Sequence, residues 1–246
     1  MNTVYAIGDI HGQADALDQA LDRIERDGGP DAPVVFIGDY VDRGPDSNGV
    51  LQRLIDGTAQ RRNWTCLKGN HDRLMAWYLD NPAYHDPYLL AGYHWLHDAI
   101  GGRQTLASYG LHLPERIRMK DAATEGRMAV PPSHLAFLRQ LPLTHSLPGY
   151  VFVHAGIRPG ISMQTQDPED LLWIRQGFLD NIQDHGALVV HGHSAVPQVT
   201  LYPNRLNLDG GAGYGRPLTP VVIEGTEIFA LKATGRHRLT PQPISG

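Results

Sequence analysis

Short apolar runs and amphipathic stretches alternate along the early part of the chain. VYAIGDI (4–10), APVVFIGDY (32–40) and NWTCLKGN (63–70) are β-rich runs of the length of a buried strand. Between them, ADALDQALDRIERD (14–27) sets Leu17, Leu21 and Ile24 at helical spacing. NGVLQRLIDGTAQ (48–60) does the same with Val50, Leu51, Leu54 and Ile55. This order predicts parallel βαβ units with right-handed crossovers. Further on, GYVFVHAG, ALVVHGH, RLNLDGG, PLTPVVIEG and TEIFALKA are strands joined mostly by short turns, which predicts antiparallel or mixed pairing there. From about Arg73 to Leu147 the pattern is mostly helix and loop, an expected insert (73–147) between the third and fourth strands. No linker divides the 246 residues, so one α/β domain spanning 1–246 is expected.

Composition narrows the class. A net charge of −5 without any basic run argues against duplex nucleic acid as a partner. No stretch is apolar and long enough to span a membrane. The single cysteine, Cys66, excludes an intramolecular disulfide framework and falls in an apolar run, as a buried thiol does. Motif-bearing residues begin at Gly8, which leaves no room for a removable leader, and a cytoplasmic location is the expectation.

The polar residues then follow a rule. Five successive apolar strands end in Asp, Asn or His flanked by glycine: GDIHG (8–12), GDYVDRG (38–44), GNHD (69–72), HAG (154–156) and HGHS (191–194). In open α/β sheets the ligand crevice lies beyond the carboxyl ends of the strands, so these side chains converge. Each motif alone has a plain reading as a turn, a helix cap or an ion pair. Together they form a donor set of carboxylates, imidazoles and one amide oxygen, suited to Mn²⁺, Fe or Zn²⁺ rather than a soft metal. Asp9, His11, Asp39, Asn70, His154 and a histidine of HGHS are too many for one ion; they fit two ions about 3.5–4 Å apart. Asp9 and His11 share one ion, Asp39 bridges, and the others complete the second.

These motifs resemble the phosphoprotein phosphatase group of the calcineurin-like metallophosphoesterases, and most of all short bacterial and phage serine/threonine phosphatases. HAGIRPG, DPEDLLWIRQGFL and NLDGGAGYGRPLT extend the likeness to about residue 231. The resemblance implies a four-layer α/β/β/α sandwich with two mixed β-sheets. It implies metal ligands at Asp9, His11, Asp39, Asn70, His154 and His193, taking the histidine of Gly192-His193 and leaving His191 to packing. His71 would be the general acid, oriented and kept protonated by Asp42. Arg43 and Arg175 would grip the phosphoryl group, with Arg158 a weaker candidate. Two divalent ions, manganese ahead of iron or zinc, would ready a bridging hydroxide for in-line attack without a covalent intermediate. The substrate would be a phosphoprotein or phosphopeptide, or alternatively a nucleotide polyphosphate of the diadenosine tetraphosphate kind. A catalytically silent binding module is disfavoured, since every ligand position is intact. Two departures stand out: GNHD where the group usually has GNHE, and NLDGGA with Gly210 in place of a hydroxyl residue. Trp77, Tyr78, Tyr84, Tyr88, Tyr93 and Trp95 of the insert are expected to pack a small core rather than stack on a base.

Overall fold

The computed structural model of the chain describes residues 3–244. Strand β1 (Thr3–Ile7), helix α1 (Ala14–Gly28), β2 (Val34–Phe36), α2 (Ser47–Ala59) and β3 (Trp64–Cys66) form the expected parallel βαβ units. The chain then runs through α3 (Asn70–Asp80), α4 (Gly102–Ser108), α5 (Met119–Ala129) and α6 (Pro132–Gln140). Strands β4 (Thr144–Leu147) and β5 (Tyr150–Val153) follow, then helix α7 (Pro168–Trp173). The remainder is β6 (Leu188–His191), β7 (Thr200–Leu201), β8 (Arg205–Asn207), β9 (Val221–Glu224), β10 (Glu227–Lys232) and β11 (Gly235–Arg238).

Two mixed sheets result, one ordered β11-β10-β9-β1-β2-β3 and the other β4-β5-β6-β8-β7. They pack face to face. Val4, Ala6, Val35 and Ile223 of the first mesh with Phe152, Val190 and Leu206 of the second. The alternate residues of the first sheet, Tyr5, Ile7, Val34 and Phe36, pack on Leu17 and Ile24 of α1 and Val50 and Leu54 of α2. The outer face of the second sheet, Val153 and Val189, is covered by Leu171, Ile174 and Phe178. The layers are therefore α/β/β/α. Parallel strands covered on both faces must be apolar throughout, which is why VVF and VFV lack the alternation of a half-exposed strand.

Thr144–Leu147, expected at the end of the helical insert, is instead the outer strand of the second sheet, antiparallel to β5. β7 and β11 were likewise not anticipated. These are short outer strands, defined by whom they pair with more than by their own pattern.

Candidate active site

The loops after β1, β2, β3, β5 and β6 meet at one edge of the sandwich. Their backbone is strained in a consistent way. His11 (φ 48°), Asp39 (56°), Asp42 (75°), Arg43 (67°) and His193 (63°) all lie in the left-handed region; among the described non-glycine residues only Arg61 joins them. Such conformations cost about 1–3 kcal/mol each and persist where the surroundings over-determine them. Here the backbone N–H groups of Ile10 and His11 donate to Asp39 O at 3.0 and 2.8 Å. The Asp72 carboxylate accepts from the N–H groups of Gly69 (2.8 Å), Asp39 (2.9 Å) and Tyr40 (2.9 Å), tying the second loop to the start of α3. Gly192 is obligatory, because a Cβ there would run into Asp9 Oδ1.

These loops enclose a cavity of about 160 Å³ lined by Asp9, Asp39, Arg43, Asn70, His71, Trp173, Arg175, His193, Asp209 and Tyr214. Asp39 sits between two imidazoles, with Oδ2 3.5 Å from His11 Nε2 and Oδ1 3.5 Å from His154 Nε2. Both rings are oriented by carbonyls. His11 Nδ1–H donates to Val41 O at 2.8 Å and His154 Nδ1–H to Ile37 O at 3.0 Å, so each Nε2 lone pair is left on the side of Asp39. Burial holds both rings neutral, His11 well below its ordinary value and His154 down to about 3. His154 Nε2 is also 2.8 Å from Asn70 Oδ1, and the buried His193 Nε2 has no hydrogen-bond partner. Burial, then Asp209 and Asp39, pushes the Asp9 carboxyl well above the usual carboxylate range; burial and Asp72 do the same to Asp39. Buried carboxylates and imidazole lone pairs turned toward one another are what a cation satisfies, so the donor set fits divalent metal.

Among the described His, Cys, Asp and Glu residues, two groups bring ligand atoms within 4.8 Å of one another: His11, Asp39 and His71, and Asp39, His154 and His193. Asp39 is common to both. Asp9 lines the same cavity, its oxygens accepting the His193 N–H at 3.1 and 3.2 Å. The first group thus differs from the expected Asp9, His11, Asp39 by including His71.

His71 Nδ1–H donates to Asp42 Oδ2 at 2.7 Å. The fully buried Asp42 carboxyl is pushed up to about 7 by burial, against the pull of its Thr105 and Trp95 hydrogen bonds. Arg43 spans two ring nitrogens, donating to His11 Nε2 at 2.8 Å and His71 Nε2 at 3.1 Å. His71 is consequently a neutral acceptor at Nε2. Burial first, then Arg43 and Arg175, holds it well below its ordinary value. The expectation that Asp42 keeps it protonated is not met in this arrangement. Arg175 reaches the cavity just beyond α7, with Nη2 3.4 Å from His193 O. Arg158 lies elsewhere, in a two-point pair with Asp170 at 2.6 and 2.7 Å. His191 packs edge-on to Phe178, as the packing assignment expects. Asp209, Trp173 and Tyr214 were not anticipated as lining residues. Asp209 carried a visible signal, since NLDGG is one more strand ending in Asp-Gly.

With this geometry the chain is recognised as a member of the calcineurin-like phosphoesterase family, whose model matches residues 3–218. It is a hydrolase of a family that works with two metal ions, and it holds two His/Asp groups able to bind metal. Two relatives match along nearly their whole length. The asymmetrical bis(5'-nucleosyl)-tetraphosphatase PrpE of Halalkalibacterium halodurans is 25% identical over 92% of each chain. Serine/threonine-protein phosphatase 1 of Salmonella typhimurium is 27% identical over 90% of this chain and 92% of its own. The symmetrical bis(5'-nucleosyl)-tetraphosphatase of Bordetella parapertussis is 29% identical over 63% of this chain, which spans only 44% of that protein. Among solved structures, the cold-active protein-tyrosine phosphatase of a psychrophilic Shewanella shares the fold, with a TM-score of 0.63 at 16% identity over 98% of this chain and 81% of that one.

Proposed function

We propose that the chain is a phosphomonoester hydrolase with a dinuclear metal site, acting as a serine/threonine protein phosphatase. The observation that carries this reading is Asp39, whose two oxygens face imidazoles on opposite sides beneath a rim of two arginines and an Asp–His pair. Asp9, His11 and Asp39 are proposed to hold one divalent ion and Asn70, His154 and His193 the other, with Asp39 shared. Mn²⁺ is the proposed metal, with Fe or Zn²⁺ compatible with the same donors. Bound metal supplies charge neutralisation at phosphorus and activation of water. His11 Nε2 cannot both ligate an ion and accept from Arg43, so with a metal held there the Arg43 guanidinium would be available to the phosphoryl oxygens. There Arg43 and Arg175 offer forked, permanently charged donors. His71 Nε2, released from Arg43, would then be open to take a proton, aided by Asp42, and to pass it to the leaving alkoxide.

The protein-phosphatase reading is supported by the near full-length match to the Salmonella phosphatase. The match to PrpE, together with Tyr88 stacked on the cavity-lining Trp173 at 5.8 Å, favours a second reading, a nucleotide hydrolase acting on substrates like diadenosine tetraphosphate. We take the whole chain as one catalytic unit and place it in the cytoplasm, in keeping with its one cysteine, Cys66, being a buried free thiol. Among the described residues no helix is long and apolar enough to cross a membrane.

The test is hydrolysis by metal-stripped protein with Mn²⁺ restored, comparing a phosphothreonine peptide with diadenosine tetraphosphate. Mn²⁺-dependent turnover of the peptide with little nucleotide cleavage is expected. The reverse preference moves the chain to the second reading, and turnover of neither rejects both.

A further inference from the structure

We propose that the helical segment between β3 and β4 is a positioning element for the acid: Trp95 and Thr105 fix the Asp42 carboxylate and, through it, His71. This rests on the reading of His71 as general acid. Asp42 is wholly buried, and its carboxylate takes three donors. His71 Nδ1–H reaches Oδ2 at 2.7 Å. Trp95 Nε1–H forks between Oδ1 at 2.9 Å and Oδ2 at 3.1 Å, and Thr105 Oγ1–H reaches Oδ1 at 2.8 Å. Apart from His71, both side-chain donors to this carboxylate come from the insert, 53 and 63 residues away in sequence.

Trp95 and Thr105 are themselves buried, so water cannot satisfy their donors and the Asp42 carboxylate is the acceptor the fold gives them. An indole has one N–H, and it is given to this carboxylate. Thr105 acts twice, since its Oγ1 also accepts the Asp42 backbone N–H at 2.8 Å. Next along the chain, Gly101 O accepts the Arg43 N–H at 3.4 Å. Asp42 and Arg43 are adjacent non-glycine residues in the left-handed region, and such a pair relaxes unless it is braced. The insert braces it through backbone, side chain and neighbour. Without Trp95 and Thr105 the carboxylate would be free to rotate away from His71, whose Nδ1–H it anchors. Trp95 and Thr105 are thus positioning residues that act on proton donation, and their contribution scales with how badly the leaving group needs a proton.

The Mn²⁺-loaded enzyme tests this with two substrates, a phosphothreonine peptide (alkoxide leaving group) and 4-nitrophenyl phosphate (stable aryloxide). Thr105→Val is isosteric and Trp95→Phe is an independent second variant. Each is expected to lower kcat on the peptide about tenfold and on the aryl ester by no more than about twofold, with KM little changed. Thr105→Ser restores the peptide rate, and Thr105→Val added to His71→Asn costs nothing further. Equal losses on both substrates, or additive losses in the double variant, would overturn the proposal while the acid assignment stands. If His71→Asn itself hurts both substrates equally, the acid assignment fails and the positioning role with it.

Discussion

Asp72 shows how much a single side chain does at this site. Its carboxylate receives three backbone N–H groups from two loops, and it sits at the third position of α3, where an acid also suits the helix N-terminus. Where the family resemblance implies a glutamate, the shorter aspartate reaches both Gly69 and the Asp39–Tyr40 backbone. Asp72→Ala leaves three buried donors unsatisfied and is expected to cost at least about 3 kcal/mol, read from urea unfolding midpoints. A loss below about 1 kcal/mol would mean that water or a local shift replaces the carboxylate. Asp9, His11, Asp39, Asn70, His154 and His193 were legible in the sequence because each ends an apolar strand beside glycine, a local pattern. Trp95 and Thr105 were not, since a contact across 53 or 63 residues leaves no local trace. Asp209 carries the same local signature, an apolar strand closing in Asp-Gly within NLDGGA.

At the scale of elements, α1 and α2 declare themselves through helical spacing of Leu17, Leu21 and Ile24 and of Val50, Leu51, Leu54 and Ile55. β4 gives no such sign. THSL has one strong apolar residue, and its strand character comes from pairing with β5. The insert joins α2 through His134 of α6, whose Nδ1 accepts from Tyr109 Oη at 2.7 Å while Nε2–H faces Gln52 Oε1 at 3.1 Å. That arrangement requires the neutral ring, and burial holds His134 below its ordinary value of 6.5. As pH falls below that value the unfolded chain takes the proton before the folded one, so this joint loses stability with acidification. Thermal melts at about pH 7.5 and about pH 5 should therefore show a larger drop for the wild type than for His134→Leu. Parallel drops would place no proton linkage at this residue. The buried Arg73, paired with Glu169 at 2.6 Å and Asp86 at 2.9 Å, fastens the insert on its other side to α7. The insert is thus held between α2 on one side and α7, just ahead of Arg175, on the other.

For the whole molecule, the two stacked sheets bring five strand ends to one edge, and the interior between the sheets is apolar, so the polar side chains that close those strands gather at that edge. The sheet count and the parallel core followed from the strand order and the family likeness. Sequence spacing alone does not show that His71 also lies within reach of His11 and Asp39. Asp39 is proposed to serve two ions at once, and calorimetric titration of metal-stripped protein with Mn²⁺ tests this. About two ions per chain are expected for the wild type, and loss of tight binding at both sites, not one, in Asp39→Asn. A single ion in the wild type, or an Asp39→Asn variant that still binds both, would contradict it.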